Sequence, residues 1–291
     1  MSEKKYVAYV GSYTHGSSRQ GIHVYDVDVE NGTLTERSSV EVSNASHMAV
    51  SKNGKYLYSI EDEGVAVFKR DKNGDLSRIN SVNIDGMRGC FLSTDVDGKY
   101  LYVAGYHDGK VTVVHTHKDG RLGSLMDGVF HTGLGSVAER NFRPHVNCVR
   151  PTPDNKYLCA VDNGIDQVKI YRVNKLRNKL ELVDILRCPR ESGPRIIRFS
   201  DDGKFELSNE IRAYKYDGSG KVPAFELIQT IETSAKKDVH DTHNAASGLS
   251  LANDGKHLFC TTAGEDTVSM FERDEETGML TRKFTLPISG E

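Results

Sequence analysis

The sequence predicts an all-β fold, a β-propeller of four-stranded antiparallel blades. One turn-and-strand phrase recurs along the 291 residues, further strand-like segments surround each copy, and no helical periodicity lies between them. Successive copies are 44 to 57 residues apart, a repeat length typical of propeller blades rather than of a sandwich. The chain contains no Trp, which argues against the WD40 subclass. We therefore expect a single β-propeller domain over residues 1–291, with about six blades represented.

The recurring phrase joins a tight turn to a strand. Its turn residues are Asn, Asp and Gly, which tolerate the positive φ that a two-residue hairpin turn requires. The strand that follows alternates side chains such as Tyr, Leu and Tyr, so that one face packs inward. The phrase begins at Asn53, Asp97, Asp154, Asp202 and Asp254.

We denote the strands of each blade a to d. Strand a precedes the phrase, strand b opens with it, strand c is an apolar run, and strand d opens at a Gly-x-Leu turn. Examples are residues 47–51 and 145–149 for strand a, residues 111–114 and 168–171 for strand c, and the segment from Gly32 for strand d.

The two ends of the chain break this pattern. Residues 6–13 match strand b, and the chain stops at Glu291 just after a strand d. A propeller usually closes by pairing its termini within one blade, which removes open sheet edges. We therefore expect a last blade and a closing strand to be absent from this sequence.

A second irregularity is internal. Lys99 lies 12 residues before Val111, the first residue of its strand c, whereas Lys204 lies only 7 residues before Ile211. Deleting most of a central strand would leave its neighbours' ladder groups unpaired, at a cost on the order of several kcal/mol. We therefore expect about five residues to be missing between Phe205 and Glu206.

Composition excludes several classes of function. The 38 basic and 41 acidic residues nearly cancel, and no basic stripe is available to neutralise nucleic-acid phosphates. The first residues lack an apolar signal segment, and no run approaches the length of a membrane-spanning helix. The five cysteines form no Cys-x-x-Cys pair and are predicted to be reduced core residues. We expect a cytoplasmic protein that binds neither nucleic acid nor membrane.

The site is expected where connections vary most. In an up-and-down blade the b–c and d–a connections share one face, and the d–a loops at 133–144, 189–194 and 234–246 are long and irregular. Variable loops on a rigid scaffold are the usual place for binding chemistry. We therefore predict a site on this face, around the central channel.

Three residues on that face are candidates for catalysis. His145, at the start of a strand a, could act as a general acid or base, or could simply be hydrogen-bonded there. Arg195, at the equivalent point one blade on, suits a carboxylate, a phosphate or an oxyanion, or could be a solvated surface residue. Glu206, in the next b–c loop, is expected near Arg195 as a catalytic partner or in a structural ion pair.

Two histidine pairs offer weaker candidates. The segment 240–243 contains His240 and His243, but their spacing fits no standard metal site, and loop decoration is the favoured interpretation. His115 and His117 alternate along a strand c and are interpreted as a surface pair. No metal or other cofactor is predicted.

Taken together, the motifs resemble the seven-bladed β-propeller lactonase family, which includes the bacterial cycloisomerase-like 6-phosphogluconolactonases. The resemblance covers essentially the whole chain. It is carried by the segments 10–14, 21–25, 143–145, 192–195 and 206–208. It implies seven blades in the intact protein, and catalytic roles for His145, Arg195 and Glu206. The family commonly has a second His where this chain has Asn147, and many members have an Arg where it has Ala263.

The resemblance implies hydrolysis of a lactone, with 6-phosphogluconolactone of sugar-phosphate metabolism as the leading substrate and water as the nucleophile. Arg195 would hold the anionic group or the oxyanion, Glu206 or His145 would take a proton from water, and Asn147 would hydrogen-bond the ring carbonyl. Arg143 is a further candidate for substrate binding. Two alternatives stay open: a cycloisomerase acting on a muconate-type lactone, and an inactive propeller that serves as a binding scaffold.

Overall fold

A computed structural model describes residues 6–14, 19–135, 142–200, 204–206, 210–234 and 245–288. All regular elements in these ranges are β-strands. The chain forms two compact units, Met1–Val129 and Phe130–Glu291. In the described ranges, no helix has the length and apolar character needed to cross a membrane.

The first unit contains one three-stranded and two four-stranded sheets, all with sequential antiparallel pairing. The three-stranded sheet contains β1 (Tyr6–Gly11), β2 (Gln20–Asp28) and β3 (Thr33–Glu41). The four-stranded sheets contain β4 (Met48–Val50), β5 (Tyr56–Glu61), β6 (Gly64–Arg70) and β7 (Leu76–Asn83), then β8 (Phe91–Thr94), β9 (Tyr100–Gly105), β10 (Lys110–Thr116) and β11 (Leu122–Phe130).

The second unit contains three four-stranded antiparallel sheets, again in chain order. The first contains β12 (Val146–Pro151), β13 (Leu158–Asp162), β14 (Gln167–Asn174) and β15 (Lys179–Arg187). The second contains β16 (Arg198–Phe199), β17 (Lys204–Glu206), β18 (Glu210–Asp217) and β19 (Ala224–Glu232). The third contains β20 (Ala245–Leu251), β21 (His257–Ala263), β22 (Thr267–Arg273) and β23 (Leu280–Pro287).

The recurring phrase forms the predicted a–b turn, but its predicted length is wrong. In the turn between β4 and β5, the N–H of Ser51 donates to the carbonyl of Tyr56 over 2.9 Å, which leaves four residues in the loop rather than two. Gly54 has a φ of 71°, and Asn155 has a φ of 57° at the equivalent point of another sheet. One left-handed residue per turn is therefore enough, and Asn or Gly supplies it.

The core lies between neighbouring sheets of each unit. Every residue of β9 and of β13 is buried, whereas the outer strands such as β7 and β15 consist mostly of half-buried and exposed positions. A cluster in the first unit joins the β4–β7 sheet to the β8–β11 sheet and includes Ile60, Val67, Leu101 and Val103. Apolar burial between blades therefore provides the main stabilisation.

The prediction of core cysteines is met for three of the five, whereas Cys90 and Cys188 are half-buried. All five are free, and Cys148, Cys159 and Cys260 are buried. Burial raises the pKa of the half-buried Cys188 to about 12. These thiols therefore behave as small apolar side chains.

The expected internal deletion falls within β17. Phe205 and Glu206 both belong to this strand, in which Phe205 pairs with Phe199 and with Tyr214. Residues 201–203 and 207–209, on either side of it, lie outside the described residues. The absence of about five residues between Phe205 and Glu206 therefore stays a prediction.

Leu101→Ala tests the importance of packing between sheets. Leu101 is fully buried in β9, and its truncation should lower the free energy of unfolding by about 2–5 kcal/mol through lost burial and a residual cavity. Urea unfolding followed by circular dichroism measures the change. The control Leu34→Ala removes a side chain that is 54% exposed in the same unit, and it should change stability by about 0.5 kcal/mol or less. Equal losses in the two variants would contradict this account of the core.

Candidate functional site

The predicted catalytic residues lie at one end of the sheets of the second unit. His145 immediately precedes β12, Arg195 lies shortly before β16, and Glu206 is the last residue of β17. The start of strand a and the end of strand b are neighbours in an antiparallel sheet, and Glu206 accordingly pairs with Arg198. The prediction that d–a and b–c connections meet at one end of a blade is confirmed in this unit.

His145 is buried and held through its main chain. Only 5% of its surface is exposed. Its backbone N–H donates to Asp162 Oδ1 over 2.8 Å, and its carbonyl accepts from the N–H of Asn163 over 3.0 Å. Its ring meets the ring of Phe142 edge to face, with centroids 6.5 Å apart. The main chain at His145 is therefore held in place by the end of β13 and the b–c connection that follows it.

The Asp162 carboxylate is the centre of this arrangement. Its side chain and that of His131 are both completely buried, and His131 Nδ1 lies 2.7 Å from Asp162 Oδ2. Oδ1 accepts from the N–H of Gly164 over 3.0 Å as well as from His145. Three donors thus compensate one buried carboxylate, as its desolvation requires.

Burial also lowers the pKa of the two basic side chains near Asp162. It lowers the pKa of His131 below its ordinary value of 6.5, an effect that the hydrogen bond to Asp162 opposes. Burial likewise lowers the pKa of Lys169, whose ammonium donates to the carbonyl of Thr132 over 3.1 Å. His131 is therefore neutral near pH 7 and donates its Nδ1 proton to Asp162.

The other end of the b–c connection holds the segment that leads to Arg195. Asp166 Oδ2 accepts from the N–H of Glu191 over 2.8 Å, and its Oδ1 accepts from the N–H of Gly193 over 2.9 Å. Asn163 Nδ2 donates to the carbonyl of Gly193 over 3.1 Å. Arg195, two residues beyond this turn, is half-buried. The structure therefore ties both His145 and the approach to Arg195 to one short segment, residues 162–166, which comprises the last residue of β13 and the connection to β14.

Arg143 lies beside the same connection. Its side chain is exposed, and its guanidinium carbon lies 5.6 Å from the centre of the Phe142 ring. A Cβ on Gly164 would collide with the carbonyl oxygen of Arg143. Only glycine allows this close approach, so Gly164 is required for the chain to pass from Arg143 to His145.

Asn147 occupies a β-bulge in β12. The pairing with β13 shifts between Val146 and Cys148, which leaves Asn147 as the extra residue. A bulge redirects side chains locally and is common beside functional sites. Asn147 is half-buried, so its position is compatible with the predicted contact to a ligand.

Some predicted residues cannot be placed fully. The side chain of Glu206 and the segment 207–209 lie outside the described residues, as does the segment 240–243 with its two histidines. The ring of His115 packs at 5.1 Å from that of Tyr100. Among the described residues, no group of three His, Cys, Asp or Glu side chains could hold a metal ion.

Sequence reasoning missed Asp162, His131 and Asp166. One signal was present: Asp162 ends the otherwise apolar strand 158–162, at a position where two other sheets have Gly105 and Thr262. A charged residue at the end of a central strand indicates a compensating partner. Which partner it finds depends on the fold.

The low proton affinity of His131 predicts a specific pH dependence. Below pH 6.5 the unfolded chain protonates this residue more readily than the folded chain does, so the unfolded state binds more protons and stability falls as the pH falls. His131→Gln should weaken this dependence, because Gln can still donate to Asp162 but cannot titrate. Urea unfolding at about pH 7.5 and about pH 5.5 measures the difference.

The control for this prediction is His107→Gln. His107 is exposed in the connection between β9 and β10, and its substitution should leave the dependence as in the unmodified protein. If the unmodified protein and His131→Gln lost the same free energy of unfolding between the two pH values, His131 would not be the group responsible.

Comparisons with known proteins agree on one family. The sequence profile described as "Lactonase, 7-bladed beta-propeller" matches residues 7–291. A 6-phosphogluconolactonase of Bacillus subtilis is 34% identical over 287 residues, which cover 95% of this chain and 80% of that protein. A 6-phosphogluconolactonase of Formosa agariphila is 29% identical over 291 residues, which cover 94% of this chain and 80% of that protein.

Solved structures extend the agreement to the fold. The periplasmic gluconolactonase of Pseudomonas aeruginosa superimposes with a TM-score of 0.88 at 26% identity, over 98% of this chain and 84% of that one. A protein of Lactobacillus plantarum superimposes with a TM-score of 0.84 at 29% identity, over 98% and 83%. The predicted all-β propeller with four-stranded antiparallel blades is therefore confirmed, and the chain belongs to the seven-bladed β-propeller lactonase family.

Proposed function

We propose that the chain hydrolyses 6-phosphogluconolactone, and that the site comprises His145, Arg195 and Glu206 with Asn147 and Arg143 as substrate contacts. The observation that carries the proposal is the shared attachment of His145 and of the turn before Arg195 to one connection. An imidazole and a guanidinium at neighbouring strand ends suit a substrate with an ester carbonyl and an anionic group. The names of the Bacillus and Formosa relatives support the substrate.

The substrate's phosphate requires positive charge at the site. Arg195 is half-buried and Arg143 is exposed, so Arg195 is the better placed of the two for a partly desolvated, bidentate contact. Arg143 then supplies a more weakly bound, solvent-screened charge. We assign Arg195 to the phosphate or to the oxyanion, and Arg143 to the rim of the site.

The reaction needs one water molecule and one proton shuttle. His145 accepts a proton from water as the water oxygen attacks the ring carbonyl, and the carbonyl oxygen becomes an oxyanion. Collapse of this intermediate breaks the bond to the ring oxygen, which receives the proton back from His145. Lactone and water thus become one hydroxy acid, and no metal or other cofactor is needed to balance the step.

Asn147 and Glu206 have supporting roles in this scheme. The Asn147 amide, presented by the bulge in β12, donates to the carbonyl oxygen as negative charge develops there. Glu206 is the alternative proton acceptor. The compartment in which the reaction takes place stays a prediction, since the sequence favours the cytoplasm whereas the Pseudomonas relative is described as periplasmic.

The test is hydrolysis of 6-phosphogluconolactone above its spontaneous rate, followed by acid release in a pH-stat. His145→Gln should lower kcat by about 10²–10⁴-fold if His145 is the base. Arg195→Ala should mainly raise KM, since it removes binding of the anionic group. If the Glu206 carboxylate is the base instead, Glu206→Gln should show this loss of kcat and His145→Gln should not.

Two controls match these substitutions. His117→Gln and Arg177→Ala each change an exposed residue of the same type in a c–d connection, not in a b–c or d–a connection; the Arg177 side chain is 78% exposed. Both should retain full activity. Activity that survives in all three site variants would overturn the site. A muconate-type lactone turned over in place of 6-phosphogluconolactone would identify the cycloisomerase instead, and no turnover of either would favour the binding scaffold.

A further inference from the structure

Residues 162–166, the last residue of β13 and the connection from it to β14, carry a buried carboxylate at each end. Asp162 is completely buried and Asp166 is 6% exposed. Neither side chain points to solvent, and each accepts main-chain N–H groups from an incoming d–a segment. We call residues 162–166 the clamp loop.

The two carboxylates serve different segments. Asp162 accepts from the N–H of His145, whereas Asp166 accepts from those of Glu191 and Gly193, which precede Arg195. Charge-assisted hydrogen bonds of this kind are about twice as strong as neutral ones. The separation between His145 and the turn before Arg195 is thereby determined by a short, hydrogen-bonded loop.

A hairpin can close at this point without buried carboxylates. In the β21–β22 connection Asp266 has a φ of 52° where Asp166 has 53°, and each carbonyl accepts an N–H from just beyond its strand d. Thr262 occupies the position of Asp162 there, and Asp266 is exposed. The two connections differ between these points, because Gly264 has a φ of 89° whereas Gly164 has no positive φ. The buried carboxylates are therefore not needed for hairpin closure, and their bonds to His145, Glu191 and Gly193 serve the incoming segments.

We infer that the clamp loop positions the site, with Asp162 placing His145 and Asp166 placing the turn that leads to Arg195. The inference rests on the proposed function for its kinetic consequences, and on the hydrogen bonds alone for its structural ones. Asp162 and Asp166 are positioning residues. A displacement of about 1 Å at a reacting group can lower the rate by about 10²-fold. Loss of the Asp162 or the Asp166 carboxylate should therefore change the kinetic constants of the reaction.

The contacts of Asp162 and of Asp166 respond differently when the carboxylate is replaced by the amide of Asn. In Asp162→Asn, the amide oxygen can still accept from His145 and Gly164, and its NH₂ can donate to His131 once the ring proton moves from Nδ1 to Nε2. In Asp166→Asn, both oxygens of the original carboxylate face main-chain N–H groups that have no alternative tautomer. One of the two acceptor oxygens is then replaced by an NH₂ group that faces a main-chain N–H, so one of the hydrogen bonds to Glu191 and Gly193 is lost.

The test compares Asp162→Asn, Asp162→Ala, Asp166→Asn and Asp166→Ala in the full chain, with Asp266→Ala as the control. Asp162→Ala should lower kcat by about 10–10²-fold at similar KM, and Asp162→Asn should restore most of it. Both Asp166 variants should raise KM by about tenfold with less effect on kcat. Asp266→Ala should leave both constants unchanged.

A structural readout separates this inference from the proposed function. In the unmodified protein the amide protons of His145 and Gly193 should exchange slowly; Asp162→Ala should expose the first only, and Asp166→Ala the second only. Nitrogen-15 spectra of labelled His should show the proton of His131 on Nδ1, moved to Nε2 in Asp162→Asn. Thermal unfolding verifies that each variant is folded.

The outcomes are then distinct. Absence of lactone turnover in the unmodified protein would reject the proposed function, and amide exchange would still decide the clamp. Folded Asp162→Ala with unchanged exchange at His145 would overturn the inference. So would an Asp162→Asn variant that is as slow as Asp162→Ala in a protein that is otherwise active.

Discussion

Burial of the central strands of each sheet is the constraint on which the other features depend. β9 and β13 have no exposed residue, so water cannot hydrate a polar group there, and the protein itself must supply hydrogen-bond partners. An isolated carboxylate would be strongly destabilising in such a place. Asp162 is compatible with its strand because two main-chain N–H groups and one imidazole surround it. The paths of the adjoining loops follow from this requirement.

Much of the fold could be predicted because the repeat encodes it locally. Strand a was expected at 145–149 and lies at Val146–Pro151, and strand c was expected at 111–114 and lies at Lys110–Thr116. Turn residues and apolar alternation mark the centres of strands. Strand ends and turn lengths depend on main-chain pairing with neighbouring strands, which leaves little trace in residue type. The two-residue turn was wrong for this reason.

The site was only partly predictable. His145 and Arg195 were proposed because they follow long, irregular loops and match a family motif. The groups that hold them were not, because His131 lies 31 residues from Asp162 along the chain and meets it only through the fold. Its buried, neutral state also depends on tertiary packing, since an exposed imidazole of the same sequence context would titrate normally. Candidate catalytic residues are thus easier to predict from the sequence than the buried residues that hold them in place.

The missing side chain at Gly164 has a mechanical consequence. With no Cβ, the main chain of the clamp loop lies directly against the carbonyl of Arg143, and the same loop is hydrogen-bonded to Gly193. A close-packed contact of this kind transmits displacement instead of absorbing it. A displacement of the clamp loop would therefore reach both the segment before His145 and the turn before Arg195, so these two segments are expected to move together and not independently.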